Sequence, residues 1–94
     1  MAGENKIDTY LCDEVRLRGG MIYKLTFIGT RGAPDRLVWI PRWRVGCFVE
    51  VKDEGKDLEA HQRRRHEELR GMGFRTAMVN SKDSVDALLK RRFE

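Results

Sequence analysis

The sequence has little that could cross-link the chain or anchor it. Its 94 residues include two cysteines, two prolines and no long apolar run. Cys12 and Cys47 are too few and too far apart for a disulfide framework or a zinc site, so we interpret both as reduced thiols of a cytoplasmic protein. The longest apolar runs span about five residues, far short of a membrane helix. The first residues also lack the apolar segment of a secretory signal.

Charged residues, in contrast, are abundant. They make up 36% of the chain, and 19 lysines and arginines against 15 acids give a net charge of +4. A hydrophobic share of 40% predicts one globular domain over 1–94. So small a domain buries only about 60% of its unfolded surface, so dimerisation would add stability. The excess of arginine favours a nucleic-acid partner, because a guanidinium can bind two phosphate oxygens at once.

The spacing of apolar residues predicts seven secondary-structure elements. They are helix 4–18, strands 21–27, 35–40 and 45–52, helix 58–70, strand 74–79 and helix 83–92. Asp57 and Ser81 precede the second and third helices and are predicted to be their N-caps. Short turns join the first three strands and a helical crossover leads to the fourth. The order α-β-β-β-α-β-α therefore predicts an α/β fold with a mixed four-stranded sheet flanked by helices.

Two carboxylates and a lysine are predicted to share one face of that sheet. In the third strand, a period of two places Glu50 and Lys52 on one side and Val49 and Val51 on the other. Alone, such a pair is typical of an exposed cross-strand ion pair. Asp35 follows a proline at the start of the neighbouring strand and adds a second carboxylate, close enough to share a divalent ion with Glu50.

The chemistry of these residues indicates phosphodiester hydrolysis. Asp35, Glu50 and the carbonyl of Val51 offer the oxygen ligands that Mg²⁺ or Mn²⁺ prefers. The metal would lower the pKa of a bound water and stabilise charge on the phosphoryl oxygens. Lys52 would orient or deprotonate that water, or neutralise the charge that develops at phosphorus.

Polar residues also stand on helix faces where apolar ones are expected. Gln62 lies four residues after Leu58 and seven before Leu69, on the inward stripe of the second helix. It is either a core glutamine bonded to the backbone or a residue that faces the site. Glu4 shares the inward stripe of the first helix and serves either the helix dipole or the site. Glu14 is the competing acid on that helix.

Other notable side chains have ordinary structural explanations. We interpret His61 and His66, which stand among arginines, as surface or phosphate-contact residues rather than metal ligands. The run from Arg63 to Arg65 is either a solvated face or a grip on a backbone phosphate. We interpret Trp39 and Trp43 as core and turn packing rather than as platforms for base stacking.

Taken together, the motifs resemble a known family. They are Gly32-Ala-Pro-Asp35, then Phe48-Val-Glu50-Val-Lys52, then Gln62. This set resembles the PD-(D/E)XK nucleases, and within them the small stand-alone form of the virus-type replication-repair nuclease (VRR-NUC) domain, common in phages and bacteria. The resemblance implies a restriction-endonuclease-like core and a Mg²⁺- or Mn²⁺-dependent endonuclease on DNA. It implies Asp35 and Glu50 as metal carboxylates, Lys52 as the catalytic lysine and Gln62 as the helix residue facing the site.

The resemblance also implies a substrate and a partner. Glu4 matches the acid where the family's first helix opens, and Lys24 matches a lysine in contact with phosphate. Contacts to DNA are predicted at Lys24, Arg31, Arg36, Arg63 and Arg65. Stand-alone members are similar to Holliday-junction resolvases, which implies a homodimer on branched or junction DNA, in the cytoplasm of a bacterium or a phage-infected host. The alternatives are a nuclease for flaps, nicks or single strands, and a nucleic-acid-binding accessory module with little catalysis.

Overall fold

The computed structural model describes residues 2–27 and 29–92, with side chains from residue 6 onward. Its elements are α1 (Ala2–Leu17), β1 (Met21–Lys24), β2 (Arg36–Trp39), β3 (Cys47–Val51), α2 (Ala60–Gly71), β4 (Arg75–Val79) and α3 (Lys82–Lys90). This order confirms the predicted α-β-β-β-α-β-α arrangement. Among the described helices, none has both the length and the apolar character needed to cross a membrane.

The four strands form one mixed sheet in the order β1-β2-β3-β4. The pairs β1–β2 and β2–β3 are antiparallel. The pair β3–β4 is parallel, because α2 returns the chain to the end of the sheet where β3 begins. The register sets Leu37 opposite Phe48, and Glu50 beside Met78. The predicted mixed sheet is therefore confirmed.

One face of the sheet forms the hydrophobic core with α1 and α3. The buried apolar side chains include Leu11 and Val15 of α1, Leu89 of α3, and Val49 and Val51 of β3. The alternation in β3 that predicted Val49 and Val51 on the inward side is thus confirmed. Burying side chains of this size contributes about 1.5–3 kcal/mol each, which makes this face the main source of stability.

Helix α2 lies on the opposite face and covers only part of it. Its Gln62 contacts Glu50, and its Arg70 donates a hydrogen bond to Thr76 Oγ1 on β4 at 2.6 Å. The remainder of this face stays open, so Trp39 is 42% exposed. Trp39 is therefore not a core residue, although its indole N–H donates to the carbonyl of Trp43 in the turn at 3.2 Å, whereas Trp43, 3% exposed, lies in the core.

The start of α2 differs from its prediction. The N-cap is Glu59 and not Asp57, and the helix begins at Ala60. Asp57 instead accepts a hydrogen bond from the backbone N–H of the next residue, Leu58, at 2.6 Å. This local bond competes with capping, because a short carboxylate readily bonds its own neighbouring backbone. The predicted cap of α3 is confirmed, since the backbone N–H of Ser84 donates to Ser81 Oγ at 3.0 Å.

Candidate active site

The loop at residues 29–34, which we call the glycine loop, packs on α2 and positions Asp35 at the sheet. Gly32 has φ +87°, a conformation that favours glycine, and a Cβ there would lie 2.9 Å from the carbonyl oxygen of His61. Arg65 Nε also donates a hydrogen bond to the carbonyl of Arg31 at 3.1 Å. The loop is thus held against the helix, and Asp35 follows it just before β2, where a strand residue had been predicted.

Asp35 is in contact with the strand that carries Glu50. Its Oδ1 accepts a hydrogen bond from the backbone N–H of Val51 at 3.4 Å, and its Oδ2 lies 3.4 Å from Arg36 Nη1. Burial raises the pKa of the Asp35 carboxyl, and the Arg36 guanidinium and the Val51 N–H offset only part of that rise. A cation bound at this carboxylate would therefore relieve a charge that the fold leaves incompletely compensated.

Glu50 and Gln62 meet beneath α2. Glu50 is 8% exposed, and its Oε2 accepts a hydrogen bond from Gln62 Nε2 at 3.3 Å. The other end of the same amide, Oε1, accepts a hydrogen bond from the Glu59 backbone N–H at 2.9 Å. Both interpretations of Gln62 are thus realised at once, because its oxygen serves the helix start and its nitrogen faces the carboxylate.

Lys52 stands at the end of β3, next to the two carboxylates. Its backbone N–H donates to the carbonyl of Val79 at 2.9 Å, which extends the pairing with β4 by one residue. Strand alternation places its half-buried side chain on the same face as Glu50. The structure therefore gathers Asp35, Glu50, Val51, Lys52 and Gln62 around the end of one strand.

The cations predicted to contact DNA are placed in different ways. Arg36 is 9% exposed and bonds Asp8 of α1 through Nε at 3.1 Å and Nη2 at 2.8 Å, so its fork is occupied inside the fold. Lys24 and Arg31 are exposed, at the end of β1 and in the glycine loop. Arg31 is thus open to solvent in the loop that leads to Asp35, whereas Lys24 pairs with Arg36 and lies on the α1 side of the sheet.

The arginine run on α2 is divided in the same way. Arg63 bonds the carbonyl of Leu58 at 3.2 Å and lies 3.5 Å from Asp57. Arg65 bonds both carboxylate oxygens of Glu68 at 3.1 Å in addition to its bond with the glycine loop. Arg64 is exposed, and it was not among the predicted contacts. The contact between the glycine loop and Arg65 helps to decide which arginines of the run have unoccupied side chains. A local sequence pattern cannot predict that contact.

The two candidate acids of α1 lie far apart along the helix. Glu14 forms a 2.8 Å ion pair with Arg18 at the end of α1 remote from Asp8 and Arg36. Glu4 precedes Asp8 by one turn, in the direction of the site, and its side chain lies outside the described residues. Its role at the site stays a prediction.

His66 was missed as a buried residue. It is 1% exposed and lies one turn after Gln62 on the inward stripe of α2, so its interpretation as a surface residue is wrong. Within the described part of the chain its Nε2 has no hydrogen-bond partner. Burial and the neighbouring Arg70 lower the pKa of His66, which favours the neutral imidazole. Its position four residues after Gln62 was the signal that indicates burial.

The donor chemistry of the site suits a hard divalent cation. Within the described residues, no group of three or more histidine, cysteine, aspartate or glutamate side chains could hold a metal ion. Two carboxylates are present, with the backbone of Val51 in contact with one of them. An incomplete set of oxygen ligands fits Mg²⁺ or Mn²⁺, which retain water in their remaining positions, better than it fits zinc.

Comparisons with known proteins identify similar chains. A solved structure described as "VRR_NUC domain" shares 37% identity, with 95% of this chain and 96% of that chain covered and a TM-score of 0.85. "Putative nuclease p44" of Acyrthosiphon pisum secondary endosymbiont phage 1 is 39% identical over 80 residues, 85% of each chain. A "VRR_NUC domain protein", 18% identical with a TM-score of 0.72 over 97% of this chain and 92% of that one, shares the fold. No protein-family model matches.

Proposed function

Because this chain belongs to the VRR-NUC nucleases, we propose that it is a Mg²⁺- or Mn²⁺-dependent DNA endonuclease that acts on branched DNA as a homodimer. The whole of 1–94 would form a single nuclease domain. The observation that carries the proposal is the meeting of Asp35 with the Val51 backbone and of Gln62 with Glu50 at the end of β3. These contacts join three separate segments of the chain around the buried carboxylate of Glu50 and the half-buried carboxylate of Asp35.

Each residue of the site has a distinct task in this proposal. Asp35, Glu50 and the carbonyl of Val51 would hold the metal, with Glu4 as a further acid. When bound, the metal supplies a nucleophilic water of lowered pKa and neutralises phosphoryl charge. Gln62 fixes the Glu50 carboxylate through its amide. Lys52 donates hydrogen bonds to the attacking water or to a phosphoryl oxygen, and its charge balances the negative charge that grows during attack.

DNA would be held by cations around this site. Arg31 is exposed in the loop that leads to Asp35, and Lys24 is exposed on the α1 side of β1, whereas Arg63 and Arg65 would have to give up internal bonds to contact phosphate. A homodimer supplies two such sites, as paired cuts across a Holliday junction require. We propose the cytoplasm of a bacterium or a phage-infected cell as the place of action.

A second candidate function is cleavage of flaps, nicks or single strands. The exposure of Trp39 on the face that carries Glu50 favours it, because unpaired bases stack on open aromatic rings. A non-catalytic accessory module remains the other alternative, and the presence of Asp35, Glu50, Lys52 and Gln62 together argues against it.

The deciding experiment is a cleavage assay on labelled DNA of matched sequence. The purified protein is incubated with a four-way junction, a flap and a linear duplex in Mg²⁺, Mn²⁺ or EDTA, beside Glu50→Gln. The matched control is Glu67→Gln, which changes an exposed acid on the outer side of α2. We expect metal-dependent cuts that Glu50→Gln abolishes and Glu67→Gln retains. Binding without cleavage under any metal would support the accessory module instead.

The oligomeric state is tested separately by light scattering. A homodimer has twice the chain mass of 11.0 kDa. A strict monomer that still cuts DNA would keep the nuclease and remove the paired-cut resolvase, because one site cannot cut two opposed strands at once.

A further inference from the structure

A row of aromatic side chains lies on the part of the sheet face that α2 leaves open. We call Tyr23, Trp39, Phe48 and Phe74 the aromatic strip. The pairing register sets Tyr23 opposite Leu37, and Leu37 opposite Phe48, so the row crosses three strands on one face. Tyr23 is 53% exposed, Trp39 42% and Phe74 47%. The strip is therefore an accessible surface and not a part of the core.

The strip forms a shaped groove. A cavity of about 360 Å³ lies between Leu37, Trp39, Phe48 and Phe74. A Cβ at Gly46 would lie 3.3 Å from the Trp39 ring, so the glycine leaves room for the indole to lie over its strand. Phe48 and Phe74 pack edge to face with ring centroids 5.5 Å apart. The groove thus has aromatic walls that are already ordered by mutual contact.

The groove is continuous with the candidate active site. Leu37 follows Asp35 by two residues, and Phe48 precedes Glu50 by two residues in β3. Two residues along a strand span about 7 Å and return to the same face. A ligand in the groove would therefore lie about one nucleotide away from the two carboxylates.

The charges around the strip favour a polyanion over a second copy of this chain. The strip is built from residues 21–27, 36–49 and 71–79, which contain five lysines and arginines and none of the 15 acids. Among these cations Arg44 and Arg75 are exposed, and Arg75 lines the groove, whereas Lys24 pairs with Arg36 and faces the other side of the sheet. A self-complementary contact between two copies would bring these like charges together, whereas a nucleic-acid strand would neutralise them.

We propose that the aromatic strip binds unpaired bases of a single-stranded segment of the DNA substrate. The bases stack on Trp39 and Phe74, and Arg44 and Arg75 contact the phosphates of the same segment. The strand then continues along the sheet face to Asp35 and Glu50. This inference rests on the proposed function and narrows it to branched substrates that carry an unpaired strand, such as flaps. Each stacked base contributes about 5- to 150-fold to affinity.

The first test uses the two tryptophans as reporters. Trp39 is exposed and Trp43 is 3% exposed, so a neutral quencher such as acrylamide acts mainly on Trp39. We expect an oligo(dT) strand to protect Trp39 from quenching, and a duplex of the same length to protect it much less. Trp39→Phe should remove the protected signal and retain oligo(dT) affinity. Equal protection by strand and duplex would overturn the proposal.

The second test separates the strip from the reaction. Phe74→Ala should weaken oligo(dT) binding by about 5-fold or more. It should also slow flap cleavage while leaving cleavage of a linear duplex unchanged. Phe74→Tyr, which keeps the ring, should retain both. Leu17→Ala is the matched control, because Leu17 is 78% exposed on α1. If Phe74→Ala unfolds at a much lower temperature than the unaltered protein, Tyr23→Ala is used instead, and it should change oligo(dT) affinity and flap cleavage in the same direction.

The outcomes distinguish this inference from the function on which it rests. If the unaltered protein neither binds nor cuts any DNA, the proposed function fails. If it cuts DNA and Phe74→Ala and Tyr23→Ala change neither oligo(dT) affinity nor flap preference, only the strip proposal fails. If Phe74→Ala halves the mass measured by light scattering, the strip is a contact between two copies, and that result also overturns the proposal.

Discussion

The two faces of the sheet differ in burial and in polarity. The face under α1 and α3 is mainly apolar, with the Arg36–Asp8 pair beside its valines and leucines, and most of its side chains are buried. The face under α2 holds Glu50, Gln62 and His66, and beyond the helix it exposes Trp39. Stability is therefore expected to depend on the first face and chemistry on the second. Substitutions on the two faces should separate these properties.

The sharpest separation is expected from Asp35→Asn. In the proposed mechanism Asp35 binds the metal, and losing such a carboxylate removes several kcal/mol of transition-state stabilisation, so cleavage should fall by about 10³-fold or more. The free energy of unfolding should stay the same or rise. Burial raises the pKa of Asp35 in the folded state, so the ionised carboxylate above that pKa is a cost to folding. Cleavage rates and urea unfolding of the same preparation measure both effects. A large loss of stability would contradict the division between the faces.

Leu11→Ala should give the opposite result. Leu11 is fully buried under the sheet, and removal of such a side chain costs about 2–5 kcal/mol of unfolding free energy. The cleavage rate per folded molecule should be nearly unchanged, because Glu50 and Gln62 lie on the opposite face of the sheet from the cavity. Leu17→Ala on the same helix is the control, since an exposed position changes stability by about 0.5 kcal/mol or less. A Leu11 variant that stays folded but loses cleavage would show that the core also positions the site.

Gln62→Leu tests the border between the two faces. Leucine fits the helical stripe, so the fold should persist with a loss of about 1 kcal/mol from the Glu59 N–H bond. Removing the amide that holds Glu50 should weaken metal affinity about 10- to 100-fold, as loss of a partner of a metal ligand does. Cleavage measured against Mg²⁺ concentration should recover at high metal. Glu67→Ala on the outer side of α2 is the control and should need no extra metal.

The features that the sequence could predict are those with a local cause. The period of two in β3 predicted that Val49 and Val51 face the core and that Glu50 and Lys52 face the other side. The motif spacing predicted that Asp35 lies near Glu50. The cap of α2 was misplaced because Asp57 and Glu59 are both suitable acids, and only the bond of Glu59 to Gln62 distinguishes them. That bond spans three residues, so the capping-box spacing from Glu59 to Gln62 was a local signal that could have placed the cap.

The missed features depend on contacts between distant segments. Alternation put Trp39 on the face of Asp35 and Leu37, but whether a helix covers that face depends on where α2 crosses. The bonds that occupy Arg65 depend on a glycine loop 34 residues earlier in the chain. His66 is an intermediate case. Its position on the inward stripe of Gln62 indicated burial, but the neighbouring arginines suggested an exposed helix face.

The smallest effect is expected from the protonation of His66. Burial lowers its pKa in the folded protein, so between that value and the unfolded value of about 6.5 the unfolded chain binds more protons. Stability should therefore fall as pH decreases below about 6.5, by at most about 1.4 kcal/mol per pH unit. Urea unfolding from pH 8 to pH 5 measures this slope. His66→Gln, which does not titrate, should lose that part of the slope, and an unchanged slope would place its origin in other groups.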